Sequence, residues 1–561
     1  MSHLDSDNLD SSSLRGRNFQ FSSLQSCNFQ PLLLRKSTTL LLSSRDGSPQ
    51  FTSSRRSDSD CGDPENNKDG LPRSLCELAM TKGKVRIHND RAKETYPYND
   101  GEKEVWARND KTKDSGWFSL SYRFFLFVIV ILANLQLACA RIEVNIDEGI
   151  SEAFPVAVAE FEGNNIDDIE LGLKLREVIV NDLDKSGIFR VIDNEAFLEI
   201  PSNAKIPVFA NWRTVNANML LTAVVNLDRE KNQVAVDYRL WDPFKEREVE
   251  KGTYKIAING WRRVSHKIAN SIYKRFLGVD GYFDSRIVFI SEKGDEKHKM
   301  KRLAIMDQDG ANFRFLTNND EFVLSPRFDP KSQRVIYTSY KYKNKPAKVY
   351  ILDLETGEQI LICDMPHMSF APRFAPDNNH AIMSLAEKGT TSIYEIDITT
   401  GIKTRLTSAF GAIDTSPSYS PDGKKIVFNS DRGRGRTQIY IMDRDGSNIS
   451  KISNGEGSYR TPVWSPNGEW IAFTKILSGS FYIGVMKPDG SDEKLLTSSW
   501  LEEAPSWAPN SRTIIFSRQK RNGRSQLYAI DINGDNERFI YSPTDASQPS
   551  WSSIYSLSKK G

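Results

Sequence analysis

The chain has 561 residues, too many for one hydrophobic core, so two or more domains are expected. Its 75 basic and 73 acidic residues leave a net charge of +2, which supplies no global field for nucleic acid or a membrane surface. No RNA- or DNA-binding motif accompanies that charge, so nucleic-acid partners are not expected.

Residues 1–116 are Ser-rich and mixed in charge ("SSSLRGR", "TSSRRSDSDCGD"), with little apolar periodicity. That composition cannot bury a core and predicts disorder. The next segment, 117–140, ends in "SYRFFLFVIVILANLQLACA": a basic residue, a short apolar run from Phe124 to Leu132, then small residues. This is the pattern of a secretory signal peptide cleaved near Ala140. The apolar run is shorter than the roughly 20 residues of a spanning helix, although an uncleaved anchor is the alternative. The signal lies deep in the chain, which predicts a true start further downstream, at Val105 or Leu120, with most of 1–116 never made. Cleavage would leave 141–561, with no direct membrane insertion and Cys363 as the one cysteine, so no intramolecular disulfide is expected.

Residues 141–281 read as a small α/β domain. "PVAVAEF" (155–161) is a buried strand. "IELGLKLREVIVNDLDKSG" (169–187) is an amphipathic helix with Leu171, Leu175, Val178, Ile179 and Leu183 on one face and Gly187 as its stop. Strands follow at "MLLTAVVNL", "QVAVDYRLWD" and "GTYKIAI". A last helix, "GWRRVSHKIANSIYKRFLG", ends again on glycine.

From 282 to 561 the chain repeats. "SPSYSPDGKKIVFNSD" at 416 returns as "TPVWSPNGEWIAFTKI" at 461, "APSWAPNSRTIIFSRQ" at 504, "APRFAPDNNHAIMSLA" at 371 and "SPRFDPKSQRVIYTSY" at 325. The leading prolines, Pro326, Pro372, Pro417, Pro462, Pro505 and Pro549, step by 46, 45, 45, 43 and 44 residues. Short strands alternate with Gly-bearing turns through each unit, and the helical 3.6-residue spacing is missing; this is the signature of propeller blades. The last phrase, "QPSWSS", has no strands after it, while "SRIVFIS", "RLAIMDQDG" and "NFRFLT" upstream have no leading phrase. Joined, they make a sixth blade that closes the ring and leaves no open sheet edge. The prolines and aromatics are expected at the start of each inner strand, and the basic tip "DRGRGRT" is expected to be solvated.

Catalytic signatures are missing. There is no Gly-x-Ser-x-Gly elbow, no His-Glu-x-x-His and no paired Cys-x-x-Cys. The "DQDG" and "DRDG" turns lack the glutamate that a calcium loop places six residues beyond its glycine. No catalytic residue, metal ligand or cofactor is expected. A secreted propeller hydrolase or lactonase with a channel metal is the alternative.

A signal peptide, then "RIEVNIDEGI" opening an α/β domain, then six blades built on "SPSYSPDGKKIVF" and "QIYIMDRDG", resembles the TolB family, the periplasmic component of the Tol–Pal system of Gram-negative bacteria. The resemblance covers essentially all of 141–561. It implies a monomeric periplasmic scaffold that bridges a Pal-like peptidoglycan-associated lipoprotein and a TolA-like inner-membrane protein, helping the outer membrane follow the inner one during division. It places the TolA-binding segment at Arg141, Ile142, Glu143, Val144, Asn145, Ile146, Asp147, Glu148, Gly149 and Ile150. The alternation of Ile142, Val144 and Ile146 suits an edge strand that could pair with a partner sheet or pack on its own domain. The Pal contacts fall on the loops before the blade phrases, where the family's Ala and Thr match Ala371 and Thr415. The family's His falls on Met368, one place after His367, so either residue could fill that position.

Overall fold

The structure, a computed structural model, describes residues 152–554 except 295–298, 319–320, 341–346, 365–368, 388, 434, 520 and 522. The extension 1–116, the signal segment 117–140, the segment Arg141–Ile150, and both His367 and Met368 therefore lie outside the described residues.

The N-terminal part is one sheet with helices packed on it. Its strands are β1 (Phe154–Val158), β2 (Glu162–Gly163), β3 (Phe189–Val191), β4 (Met219–Asp228), β5 (Gln233–Asp242) and β6 (Arg247–Ala257), in the order β3-β1-β4-β5-β6 with β2 beside β4. β1 runs parallel to β3 and β4, whereas β4, β5 and β6 form an antiparallel meander. Helix α1 (Ile166–Lys185) begins three residues earlier than its apolar stripe suggests. The reason is a cap: the Asn165 side chain accepts from the Asp168 N–H at 2.9 Å. Asp168 is itself buried, and its carboxylate takes the Leu227 N–H at 2.8 Å, which ties the helix start to the sheet. Leu171, Leu175, Val178, Ile179 and Leu183 are buried as their spacing requires. The short helix α2 (Phe209–Thr214) is placed by Trp212, which is 1% exposed and donates its indole N–H to Glu199. Helix α3 (Trp261–Leu277) stops at Gly278, whose φ of +72° suits the left-handed cap.

Among the described residues the remaining strands form six four-stranded antiparallel sheets, the six blades of a propeller. Five are continuous in sequence. The sixth takes its inner strand, Asp545–Trp551, from the C-terminal end and its other three, Arg286–Lys293, Met300–Asp307 and Arg314–Phe315, from the start of the repeat region. The ring is thus closed by the strand that the sequence leaves orphaned.

The blade phrase does not start the inner strands, as the repeat suggests. It begins at a bulge inside them. Inner strands begin at Phe322, Ser369, Asp414, Ser458, Leu501 and Asp545, and each shifts register across its proline, from Leu324/Arg327 to Ser547/Ser550. A proline cannot donate to the ladder, so the bulge is where a strand can accommodate one. The residue before each proline, Ser325, Ala371, Ser416, Thr461, Ala504 or Gln548, has φ between +46° and +58°. None is glycine, and each such conformation costs about 1–2 kcal/mol. The fold supports this strain six times around its axis.

Candidate functional site

The two faces of the ring follow from strand direction. Connections that lead from one blade into the next inner strand share one face, which we term the mouth. The turns between first and second strands, and between third and fourth, share the opposite face. The N-terminal part contacts that second face at several turns. Asn510 donates to the Tyr273 hydroxyl at 3.3 Å, Asn536 to the Lys185 carbonyl at 3.1 Å, and Gln308 to Asp182 at 2.7 Å. The mouth is therefore the end of the channel away from these contacts.

At the mouth, Ala371 and Thr415 lie on the inner strands of neighbouring blades, Ser369–Phe374 and Asp414–Tyr419. Ala371 occupies the strained bulge position with φ +52°. Thr415 lies just before the equivalent bulge, and its Oγ1 accepts from Asn429 Nδ2 at 2.7 Å. Asn429 Oδ1 in turn accepts the Thr461 N–H at 3.2 Å, coupling this blade to the next. The adjacent Asp414 is 1% exposed and is held by Arg432 Nη2 at 2.8 Å. Arg432 thus leaves the solvated tip assigned to "DRGRGRT" and lies 5.1 Å from the Phe428 ring, because the buried carboxylate needs a cation. Arg436 of the same tip is exposed.

Sequence reasoning missed the large apolar groups around these residues. Phe410 is 103% exposed and Ile413 is 45% exposed, on the loop that leads into Thr415. Trp500, two blade junctions further round, is 53% exposed beneath Arg521. The matching aromatics in "LTSAF" (406–410) and "LTSSW" (496–500), where "LTNND" (316–320) ends on aspartate, are the signal that could have found Phe410 and Trp500. The charges are mixed: Arg460 and Glu503 hold corresponding positions on neighbouring inner strands. Glu503 is open to channel solvent but ringed by protein, and that burial raises its carboxyl pKa against the pull of Arg460 and Lys301.

The opposite face is buried rather than open. Tyr273, Tyr282, Phe283, Phe289 and Trp551 join the N-terminal sheet and the propeller into one core. Beside it lies a polar cavity of about 450 Å³ lined by Arg262, Arg263, His266, Asp284 and Arg286 among others. Asp182, His266 and Asp309 bring possible ligand atoms within 4.8 Å of one another there. Protein partners hold most of these atoms, although His266 Nε2 has none. His266 Nδ1 lies 2.6 Å from Asp182, Gln308 donates to the other Asp182 oxygen, and Asp309 pairs with Arg262. Burial opposes charge on His266, but Asp182, Asp309 and Asp307 outweigh it and push the imidazole up to about 9. A protonated imidazole serves here as the ion-pair partner of Asp182. Among the described residues no helix is long and apolar enough to cross a membrane.

Comparison with known proteins decides the family. The model of the TolB beta propeller domain matches residues 273–555, and that of the TolB amino-terminal domain matches 142–249. The Tol-Pal system protein TolB of Rickettsia bellii (strain OSU 85-389) is 44% identical over 443 residues, covering 76% of this chain and 99% of that protein. The chain belongs to the TolB family. A relative from Rickettsia massiliae (strain Mtu5), of the same name, is 45% identical over 446 residues, covering 77% of this chain and 99% of that protein. The crystal structure of TolB from Acinetobacter baumannii superposes with a TM-score of 0.63 at 24% identity, over 71% of this chain and 96% of that one. That likeness bears on the fold alone.

Proposed function

We propose that the chain is a periplasmic scaffold of the Tol–Pal system. It binds a Pal-like peptidoglycan-associated lipoprotein at the propeller mouth and a TolA-like inner-membrane protein through Arg141–Ile150, and so supports outer-membrane invagination during division and envelope integrity. The observation that carries this reading is the contrast between the faces in a member of the TolB family. One face is buried in the chain's own N-terminal part, while the other presents half-buried Ala371 and Thr415 beside exposed Phe410. Exposed apolar groups rimmed by polar ones suit protein docking. His367 or Met368 would complete the contact from the neighbouring loop. The chemistry is binding rather than turnover, and export through a cleaved signal near Ala140 would deliver the chain to its partners.

The test is capture of the organism's own Pal-like lipoprotein by the full chain, beside the double change Ala371→Arg and Thr415→Arg. Capture by the unaltered chain and loss in the double variant is the expected result. No capture by either protein removes the Tol–Pal reading. Chelator-sensitive hydrolysis of a lactone or peptide panel at an enzyme-like rate would favour the propeller hydrolase instead.

A further inference from the structure

The residue after each blade proline lies just past the bulge on the inner strand. In three blades it is serine, and its hydroxyl accepts a backbone N–H from the next blade: Ser550 from Phe328 at 3.0 Å, Ser506 from Trp551 at 3.1 Å, and Ser418 from Trp464 at 3.5 Å. Val463 holds the place in a fourth blade. In the remaining two, which are neighbours, it is arginine: Arg327 and Arg373.

Arginine only donates, so it cannot take the serine's part. The ladder bonds from the Asp329, Ala375 and Ser420 N–H groups to the second strands, at 2.9, 2.8 and 2.8 Å, fix the alternation. The N–H groups of Phe328, Phe374 and Tyr419 are thereby turned to the inner edge. Phe328 meets Ser550 there, whereas Phe374 and Tyr419 meet the blades that carry Arg327 and Arg373. The Phe374 and Tyr419 N–H groups thus face strands that carry arginine, a donor, where Phe328 faces a serine acceptor. Arg327 is 8% exposed and spends one N–H on the Pro326 carbonyl. Neither arginine forms an ion pair with a carboxylate among the described residues, whereas Asp414 and Glu502 on other inner strands are each held by an arginine. Burial pushes the Arg327 guanidinium down to about 10, and Arg373 is driven well below its ordinary value by burial and by the charge of Arg327.

We propose that Arg327 and Arg373, with the inner-edge N–H groups of Phe374 and Tyr419, bind a small oxyanion of the phosphate or carboxylate class inside the propeller channel. Such an anion supplies what the site lacks: negative charge and several acceptor oxygens in the plane a guanidinium prefers. It stands two residues past Ala371, between the mouth and the covered face.

The test is thermal unfolding of the full chain in a zwitterionic, chloride-poor buffer. Inorganic phosphate is titrated against sodium chloride at equal ionic strength. Phosphate is expected to raise the melting temperature saturably by several degrees, and Arg373→Gln or Arg327→Gln to abolish that rise. Arg373→Met guards against misfolding. Without phosphate it should melt at or above the unaltered chain, because it removes a half-buried charge that has no carboxylate partner among the described residues. Equal responses to phosphate and chloride, a rise retained in the glutamine variants, or a lower melting point for Arg373→Met each overturn the proposal. Two sources of anion are then separated by adding saturating phosphate to the lipoprotein capture. Weakened capture identifies a carboxylate carried in by the partner protein; unchanged capture identifies a free anion.

Discussion

The two faces of the propeller are built on opposite terms. On the covered face, aromatic rings interlock across the boundary between sheet and ring: Tyr282 meets Trp551 edge-on at 5.6 Å, and Tyr273 meets Phe283 at 5.7 Å. The charges there are buried and paired. At the mouth, Phe410 has no cover, Glu503 is open to solvent, and the backbone is held in a conformation that L-residues avoid. One face stores stability and the other stores strain and exposed surface. Substitutions on the first should therefore move the melting curve, and substitutions on the second should move partner capture.

The largest effect is expected at Trp551. Its ring is 5% exposed, donates to Ser285 at 2.8 Å, and packs where the ring closes and the N-terminal part docks. Trp551→Ala should cost about 3–5 kcal/mol in urea unfolding. A loss below about 1 kcal/mol would mean that closure does not depend on this contact. Next comes His266. Removing it strands the Asp182 carboxylate, so His266→Ala should cost about 3 kcal/mol. The pH dependence has a definite sign. The folded pKa of about 9 stands above the ordinary histidine value of about 6.5, so the contribution is complete below the latter. It is lost as pH rises through the former. Stability of the unaltered chain should fall across this window, and the fall should be smaller in His266→Gln.

How much of this is legible in the sequence depends on distance along the chain. Six blades and their closure follow from the proline period and three orphan strands, because repetition reports directly on a repeating backbone. The helix stripe of Leu171, Leu175, Val178, Ile179 and Leu183 is read equally well. The N-terminal start of α1 is missed because a cap depends on one side chain, Asn165, rather than on periodicity. The link from Arg432 to Asp414 spans 18 residues and two strands, so "DRGRGRT" reads as solvated when its first arginine is not. The column after the proline, Arg, Arg, Ser, Val, Ser, Ser, is visible in the repeats. Only the ladder alternation shows that it faces the next blade's N–H groups. Of the residues that the family resemblance names, Ala371 and Thr415 lie on neighbouring inner strands; no spacing rule would have chosen them.

A smaller effect tests the strain. Ser416 has φ +55°, and its side chain takes no part in the hydrogen bonds that hold the neighbouring bulge of Thr461. Ser416→Gly should raise stability by about 0.5–1 kcal/mol, because glycine enters this region without a Cβ penalty. Ser416→Val should lower it by about as much or more. The expected order of melting temperatures is Gly above Ser above Val, and the reverse order would remove the strain argument from the mouth.

The smallest effect on stability should accompany the sharpest test of the contrast. Phe410 is fully exposed on its loop, so Phe410→Ser removes apolar surface that is already in water, and unfolding should shift by less than about 0.5 kcal/mol. If the mouth is the docking face, the same change should weaken lipoprotein capture about tenfold or more, as loss of an exposed aromatic anchor does at an interface centre. Exposed Ile200 lies on the N-terminal part, away from the mouth, and Ile200→Ser is the matched control. Weakening by Phe410→Ser but not by Ile200→Ser assigns capture to the mouth face. Equal effects from both would mean that exposed apolar surface anywhere on the chain contributes, and the division of labour between the two faces would then fail.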